Sequence, residues 1–335
     1  MDNAGDVLLA GPAIRAVAVR AGAVTLLCGS RGRAAAELLP GVSEIVEWTA
    51  PWIDPEPEPV GVTSVLSLVS MLRNRFAEAA ILTSFHQSPL PLALLLRMAG
   101  IQRIAAISDD YPGALLDIRH SPQRAMHEVE RSLELVGRLG HRLAEGDRGD
   151  LRLRRPARGF AVPQQPYVVV HPGASVPARS LTTQQWRAVS SALSLSGHAL
   201  VVTGGPDERP LTATVAGAAP GCVTDLGGAT SLAELTEVIA HASAIVVGNT
   251  GPAHVAAAVG TPVVSLFAPT VPAERWRPWA VPHVLLGDQR IGCAGCRSRT
   301  CPVPGHPCLS GVEPAQVVAA VDGLVRSADR LEAAV

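Results

Sequence analysis

Short β-branched runs alternate with Ala- and Leu-rich stretches of helical spacing through most of the chain, and that alternation limits the folds open to it. Val24–Cys28, Ser43–Thr49, Ala79–Thr83 and Arg103–Ser108 read as strands, separated by helical stretches at Arg31–Leu39, Val62–Arg75 and Pro89–Ala99. The pattern resumes with strands at Tyr167–His171, Ala199–Thr203, Val223–Leu226, Ala244–Val247 and Pro262–Phe267. Helices are expected there at Thr183–Leu195, Leu232–Ala242 and Pro252–Val259, with a last one at Glu313–Arg326. Strands that alternate with helices pair in parallel, covered on both faces, so an α/β chain of doubly wound sheets is expected.

The chain of 335 residues is long enough for about two such domains of ~150 residues each. Arg138–Gln165, rich in Arg, Gly, Pro and Gln, reads as the linker, which gives domains 1–160 and 161–335. Pro51–Pro59 reads as an exposed loop in extended proline conformation. With 47% hydrophobic and 3% aromatic residues, the core must be aliphatic.

All 28 basic residues are arginine, against 29 acidic ones; lysine does not occur. A GC-rich genome explains that bias, but its consequence is chemical. It excludes a Schiff-base lysine, a pyridoxal-phosphate aldimine and the lysine-bearing phosphate loop. A formal net charge of −1 argues against a protein built to hold nucleic acid. The longest apolar stretch, Pro89–Leu96, is too short to span a bilayer, and the beginning of the sequence has no charged-then-apolar signal pattern. A cytoplasmic location is expected, with at most peripheral contact at the inner face of the membrane.

Five constellations carry candidate chemistry. Near the start, Gly5 and Asp6 lie in a loop, Met1–Asp6, that leads into a helix at Val7–Val19; Asp6 either caps that helix or faces a ligand. In a parallel sheet such a loop hangs from the carboxyl end of a strand, and no residues precede it here. The second is His171-Pro172-Gly173-Ala174-Ser175 followed by Arg179: small residues expose backbone N–H groups, Ser175 and Arg179 suit a diphosphate, and Thr182 or Thr183 caps the next helix. The third, Gly204-Gly205-Pro206-Asp207-Glu208, is a strand-end turn that brings backbone close to a nucleoside. The fourth, Asn249-Thr250-Gly251-Pro252-Ala253-His254, opens a helix with Pro252 at its first position, so the helix dipole and open N–H groups make an anion site that His254 faces. The fifth is Cys293-x2-Cys296-x4-Cys301-x6-Cys308 with His306 nearby, which suits either a structural zinc or reduced packing thiols; Cys28 and Cys222 read as core residues.

Taken together these residues resemble glycosyltransferase family 9, the lipopolysaccharide heptosyltransferase family. The resemblance rests on D-N-A-G-D-V-L-L-A-G-P-A-I-R, H-P-G-A-S-V-P-A-R, S-L-A-E-L-T-E-V-I-A-H-A-S and G-N-T-G-P-A-H-V-A-A-A-V-G-T-P-V-V-S-L-F-A-P-T, in that order, and on the cysteine cluster. M-H-E-V-E-R at Met126–Arg131 looks like the family's interdomain region. The resemblance implies a GT-B fold, two Rossmann-like domains facing a central cleft, the first on the acceptor side and the second binding the donor. It implies metal-independent, inverting transfer of a sugar, typically heptose from ADP-heptose, to a hydroxyl of a glycolipid or cell-envelope glycan. No cofactor is expected for the transfer.

On this resemblance Asp6 matches the catalytic base, while Ser175, Arg179, Glu208, Asn249, Thr250, Gly251 and His254 fall on the donor side with the loop glycines Gly5, Gly173, Gly204 and Gly205. Three departures stand out. Lysine is common in the family where Arg179 stands, and aspartate where Asn249 stands. The family pattern also carries an aliphatic strand before the Asp6 loop, so the reading expects either an upstream start or a first sheet without its central strand. Competing readings are a GT-B enzyme using another nucleotide sugar, a truncated or inactive nucleotide-sugar binder, and a two-lobed binding protein.

Overall fold

A computed structural model describes residues 3–54, 56–84, 87–122, 125–155 and 160–332. Met1 and Asp2 of the opening loop, Pro55 of the proline loop, Phe85 and His86, and residues 156–159 of the expected linker lie outside them. The chain divides into two compact units, Met1–Arg152 and Leu153–Val335, a few residues before the expected boundary. The fold is α/β throughout, with parallel sheets and helices between the strands.

The first unit holds β1 (Thr25–Cys28) and β2 (Glu44–Glu47), paired in parallel, and a separate parallel sheet of β3 (Glu78–Ile81), β4 (Arg103–Ile107) and β5 (Ile118–His120). Alternate residues of β3 and β4 feed two different cores, as the period of a strand requires. Ile81, Ile104 and Ala106 pack with Leu68, Leu72 and Leu96 of the helices Val62–Leu72 and Leu90–Met98. Ala80 and Ala105 pack with Leu135 and Leu139 at the end of the helix Glu128–Arg138.

The opening differs from expectation. A helix already runs from Ala4 to Leu9 and a second from Gly11 to Ala21, so Gly5 is helical and not a loop residue. Val7 N–H bonds the Asn3 carbonyl at 3.2 Å, and the buried Val7, Leu8 and Leu9 hold the first helix down. Pro12 explains the break at Ala10: it has no N–H for the Leu8 carbonyl, and its ring crowds that group. Sequence reading also passed over β5 and the helix Glu128–Arg138. That helix opens with a capping box, His127 Nδ1 accepting from Val129 N at 3.2 Å while Glu130 accepts from His127 N at 3.0 Å. The M-H-E-V-E-R segment thus lies inside the first unit and starts a helix there.

The second unit is one six-stranded parallel sheet: β6 (Tyr167–His171), β7 (Ala199–Gly204), β8 (Val223–Gly227), β9 (Ala244–Gly248), β10 (Val263–Leu266) and β11 (His283–Leu286), in the order β11-β10-β9-β6-β7-β8. β6 and β9, mostly apolar, are buried along their whole length, as strands covered on both faces must be. On one face the helix Thr183–Leu195 contributes Trp186, Val189 and Leu193, with Val317 and Val321 of the helix Pro314–Glu332. Thr182, not Thr183, caps the former, and Gln185 closes the box. β11 and the helix Arg209–Ala216 were not anticipated. No helix of the described residues is long and apolar enough to cross a membrane.

One ion pair fastens the first unit's opening to its end. Arg15 donates from Nε and Nη2 to Asp147 at 2.8 and 2.9 Å, and from Nη2 to the Asp150 carbonyl at 2.8 Å. Both side chains are only 10% exposed, and the guanidinium bond holds the Asp147 carboxyl at about 2, well below its usual value. Because the folded state lowers this pKa, the stability it contributes is present above about pH 4 and is lost as pH falls toward 2. Asp147→Asn should cost about 1–2 kcal/mol at pH 7 by urea unfolding, with the difference from the parent shrinking between pH 4 and pH 2.

Candidate functional site

In the second unit the strand order reverses direction between β6 and β9: β7 and β8 lie to one side, β10 and β11 to the other. Loops leaving the carboxyl ends of two such strands diverge and leave a crevice, the usual ligand position in an open α/β sheet. The loop after β6 begins Pro172-Gly173; the loop after β9 is Asn249-Thr250.

Thr250 is the extended residue before the helix Gly251–Val259, with Pro252 in its first turn. Its hydroxyl makes no cap bond, so the positive end of the dipole opens on the crevice without a side-chain oxygen across it. Asn249 is buried and donates from Nδ2 to the Ala268 carbonyl at 3.3 Å, which fixes the direction of its amide. Asn249 Oδ1 and Thr250 Oγ1 are buried oxygens with no hydrogen-bond partner among the described residues. Such atoms cost free energy unless something satisfies them, and side by side at a helix start they suit a ligand bearing donors or bound water. His254 is buried in the first turn of the same helix.

Arg179 ends a short turn, Pro177–Arg179, that crosses close to the end of β9: a Cβ on Gly248 would stand 2.7 Å from the Arg179 carbonyl. Only glycine lets the turn come so near. Arg179 Nε donates to Thr270 Oγ1 at 3.3 Å. Ser175 is exposed on the loop just before.

Beside them lies a carboxylate pocket. Glu208 accepts from Gly205 N at 2.8 Å, approaches His171 Nε2 at 4.0 Å, and covers Gly173 so closely that a Cβ there would run into its carboxyl group. Gly204 is the last residue of β7 and stands under Thr212 and Glu208. His171 also shares a hydrogen bond of 3.0 Å between Nδ1 and Thr203 Oγ1. The structure therefore gathers Arg179, Glu208, Asn249, Thr250, Gly251 and His254 around the ends of β6, β7 and β9. Asp6 sits in the first turn of the helix Ala4–Leu9, in the other unit.

Three contributors escaped sequence reading: Thr270 and the Ala268 carbonyl, which orient Arg179 and Asn249, and Thr203, which bonds His171. Thr270 lies within F-A-P-T, and His171 heads H-P-G, but nothing in the spacing pairs them with Arg179 or Thr203. The four cysteines line one small cavity of about 20 Å³ with His306. No group of three His, Cys, Asp or Glu side chains among the described residues is arranged to hold a metal. Burial, with the neighbouring thiols adding to it, pushes the Cys308 thiol up to about 11. The cysteine segment also braces the crevice loops. Ala178 N donates to the Arg299 carbonyl at 2.9 Å, His306 Nε2 meets the Ala178 carbonyl at 3.1 Å, and Arg297 N bonds the Thr270 carbonyl at 2.9 Å.

The model of glycosyltransferase family 9 (heptosyltransferase) matches residues 65–306, across both units and all of this crevice. The chain belongs to glycosyltransferase family 9. Asp6 lies before the matched span. Among curated relatives of the family, lipopolysaccharide heptosyltransferase 3 of Escherichia coli is 37% identical over 183 residues, which is 52% of this chain and 52% of that protein. The chain thus spans about half the length of the curated relative it matches. Solved family 9 folds align over nearly the whole chain. The ADP-heptose lipopolysaccharide heptosyltransferase II of E. coli has a TM-score of 0.73 at 20% identity over 98% of both chains. E. coli heptosyltransferase WaaC, solved with ADP-2-deoxy-2-fluoro heptose, has 0.69 at 19% identity over 96% of this chain and 99% of that one. The chain has the α/β GT-B fold of these heptosyltransferases.

Burial holds His171 below its ordinary value, against the pull of the Glu208 carboxylate. The unfolded chain binds a proton near pH 6.5 that the native state takes up only at lower pH, so stability falls as pH drops below about 6.5. In urea unfolding at pH 7.5 and 5.5, His171→Gln should lose less stability across that interval than the parent chain.

Proposed function

We propose that this chain is an inverting sugar transferase that moves heptose from ADP-heptose onto a hydroxyl of a glycolipid or cell-envelope glycan. The observation that carries the reading is the open start of the helix Gly251–Val259 on a family 9 sheet, where N–H groups face a diphosphate, with Asn249 Oδ1 and Thr250 Oγ1, unpartnered among the described residues, beside it for sugar hydroxyls. Support for the donor comes from the family 9 neighbour solved with an ADP-heptose analogue.

On this reading the diphosphate lies against the start of the helix Gly251–Val259. Ser175 and the terminal nitrogens of Arg179 meet it from the preceding loop, and His254 faces it from the first turn. With no lysine in the chain, the cationic contact is a planar guanidinium fork in place of a point charge. Glu208, beside Gly205, is assigned to the nucleoside end. The second unit is thereby the donor domain and the first the acceptor domain.

Asp6 is assigned the part of base. The acceptor oxygen attacks the anomeric carbon, its proton passes to the Asp6 carboxylate, and the bond from that carbon to the diphosphate oxygen breaks with the electron pair leaving on ADP. Charge grows on the departing ADP as the transition state forms. Donors already aimed there, from the helix start, Ser175 and Arg179, stabilise it without reorganising. No cofactor is assigned to the transfer, and the cysteine cluster is given a structural part. No nucleic acid enters the reading, and membrane contact, on the cytoplasmic side, is peripheral.

The test is nucleotide release from ADP-heptose beside UDP- and GDP-sugars, with a lipid extract of the source organism as acceptor. ADP release should exceed the others, and Asp6→Ala should lower it by about 10²–10⁴-fold while ADP binding stays within a few-fold. UDP or GDP release at the same rate contradicts the donor assignment, and full turnover by Asp6→Ala contradicts the base.

A further inference from the structure

The cysteine segment of the second unit sits against the turn that carries Arg179. Cys293, Cys296, Cys301 and Cys308 are all free thiols, and together with Ala178, Pro269 and Thr270 they line one small cavity. The four differ in what they can do. Cys308 is buried, and burial, with the neighbouring thiols adding to it, raises its thiol well above the ordinary value, so it offers little thiolate. Cys301 donates from Sγ to the Val303 carbonyl at 3.5 Å. Cys296 is exposed and Cys293 half-buried, and only Ala294 and Gly295 stand between them, at the turn 292–295.

That turn is tied to the crevice by its own backbone. Gly295, between the two cysteines, donates from N to the Pro269 carbonyl at 2.7 Å, and Arg297, directly after Cys296, donates to the Thr270 carbonyl at 2.9 Å. Thr270 Oγ1 is the acceptor for Arg179 Nε. Gly295 has φ +79° and Arg297 φ +56°; for arginine that left-handed conformation costs free energy, so contacts such as the Thr270 bond must maintain it. We propose that Cys293 and Cys296 are a modifiable pair, closed to a disulfide by small-molecule disulfides, and that closing it weakens the grip of Arg179 on the donor diphosphate.

The reaction is thiol–disulfide exchange in two steps. The Cys296 thiolate attacks one sulfur of the small disulfide; a bond to Cys296 forms, the S–S bond of the small disulfide breaks, and one small thiolate leaves. The Cys293 thiolate then attacks the Cys296 sulfur, the protein disulfide forms, and the second small thiolate leaves. The protons given up by the two cysteines end on the two released thiols. The pair has lost two electrons and the small disulfide has gained them. An S–S bond imposes its own Cβ separation and torsion on the residues it joins. The amides of Gly295 and Arg297, inside and beside the new ring, then leave the Pro269 and Thr270 carbonyls, and Thr270 no longer steadies Arg179. The effect on the donor rests on the donor assignment proposed above; the modification itself does not.

The experiment equilibrates the whole chain with reduced and oxidised glutathione in varied ratio. Cleavage after arginine releases Ile291–Arg297, which holds both sulfurs of the pair and neither Cys301 nor Cys308. Under oxidised glutathione that peptide should lose two hydrogen atoms. Amide exchange at Gly295 and Arg297 should quicken by about tenfold or more, and ADP affinity should fall by about tenfold. Dithiothreitol should reverse all three changes. The double variant Cys293→Ser, Cys296→Ser should bind ADP as the reduced parent does and ignore glutathione. A disulfide that reaches Cys301 or Cys308, or glutathione adducts alone, overturns the pair; so does a metal ion in the isolated protein that keeps these thiols unreactive. Unchanged exchange in the oxidised chain, or unchanged affinity where ADP binds, overturns the coupling. If the reduced chain binds no ADP, the donor assignment fails by itself, and peptide mass and exchange still decide the pair.

Discussion

The pairing of β6 with β9 is the constraint on which the rest of the second unit depends. Val168–His171 runs beside Ala244–Val247 in parallel register, although 72 residues of other strands and helices separate the two segments. Because later strands are added outward in both directions from that pair, the loops that leave it turn away from each other. One loop carries the small residues around Gly173; the other carries Asn249 and Thr250 and opens a helix. A buried strand pair rich in valine thus sets where the Asn249 and Thr250 oxygens stand.

The polar groups of the crevice are held by bonds pointing away from it. Asn249 spends its amide nitrogen on Ala268, Arg179 its Nε on Thr270, and His171 its Nδ1 on Thr203. Asn249 Oδ1 is left without a partner among the described residues, and His171 turns Nε2 toward Glu208 at 4.0 Å. The cysteine segment contributes by supporting the carbonyl and amide of Ala178 from behind, which keeps the Pro177–Arg179 turn against Gly248.

Much of this was legible because strand and helix periods differ. Tyr167–His171 and Thr183–Leu195 were read to the residue, since an unbroken apolar run and a Thr182 cap mark their ends. β11 was not, because an edge strand is half-buried and gives a weak apolar signal. The helix Glu128–Arg138 hid behind an unusual histidine cap and five charged side chains. At the site, the helix start at Thr250 and the glycine turns were readable from residue type. The carbonyl of Ala268, the Thr203–His171 bond and the approach of Arg179 to Gly248 were not, because tertiary contacts between separate loops leave no spacing in the sequence. In the first unit, Pro12 was quoted without its consequence: it cuts the opening into two helices and puts Gly5 inside the first.

The central claim is that a nucleotide diphosphate binds at the ends of β6 and β9. Hydrogen exchange of the chain with and without ADP tests it directly. The account predicts slower exchange at Gly173–Arg179 and at Thr250–His254, with Gly205–Glu208 following. Protection confined to other segments of the second unit, or none there at saturating ADP, would contradict it.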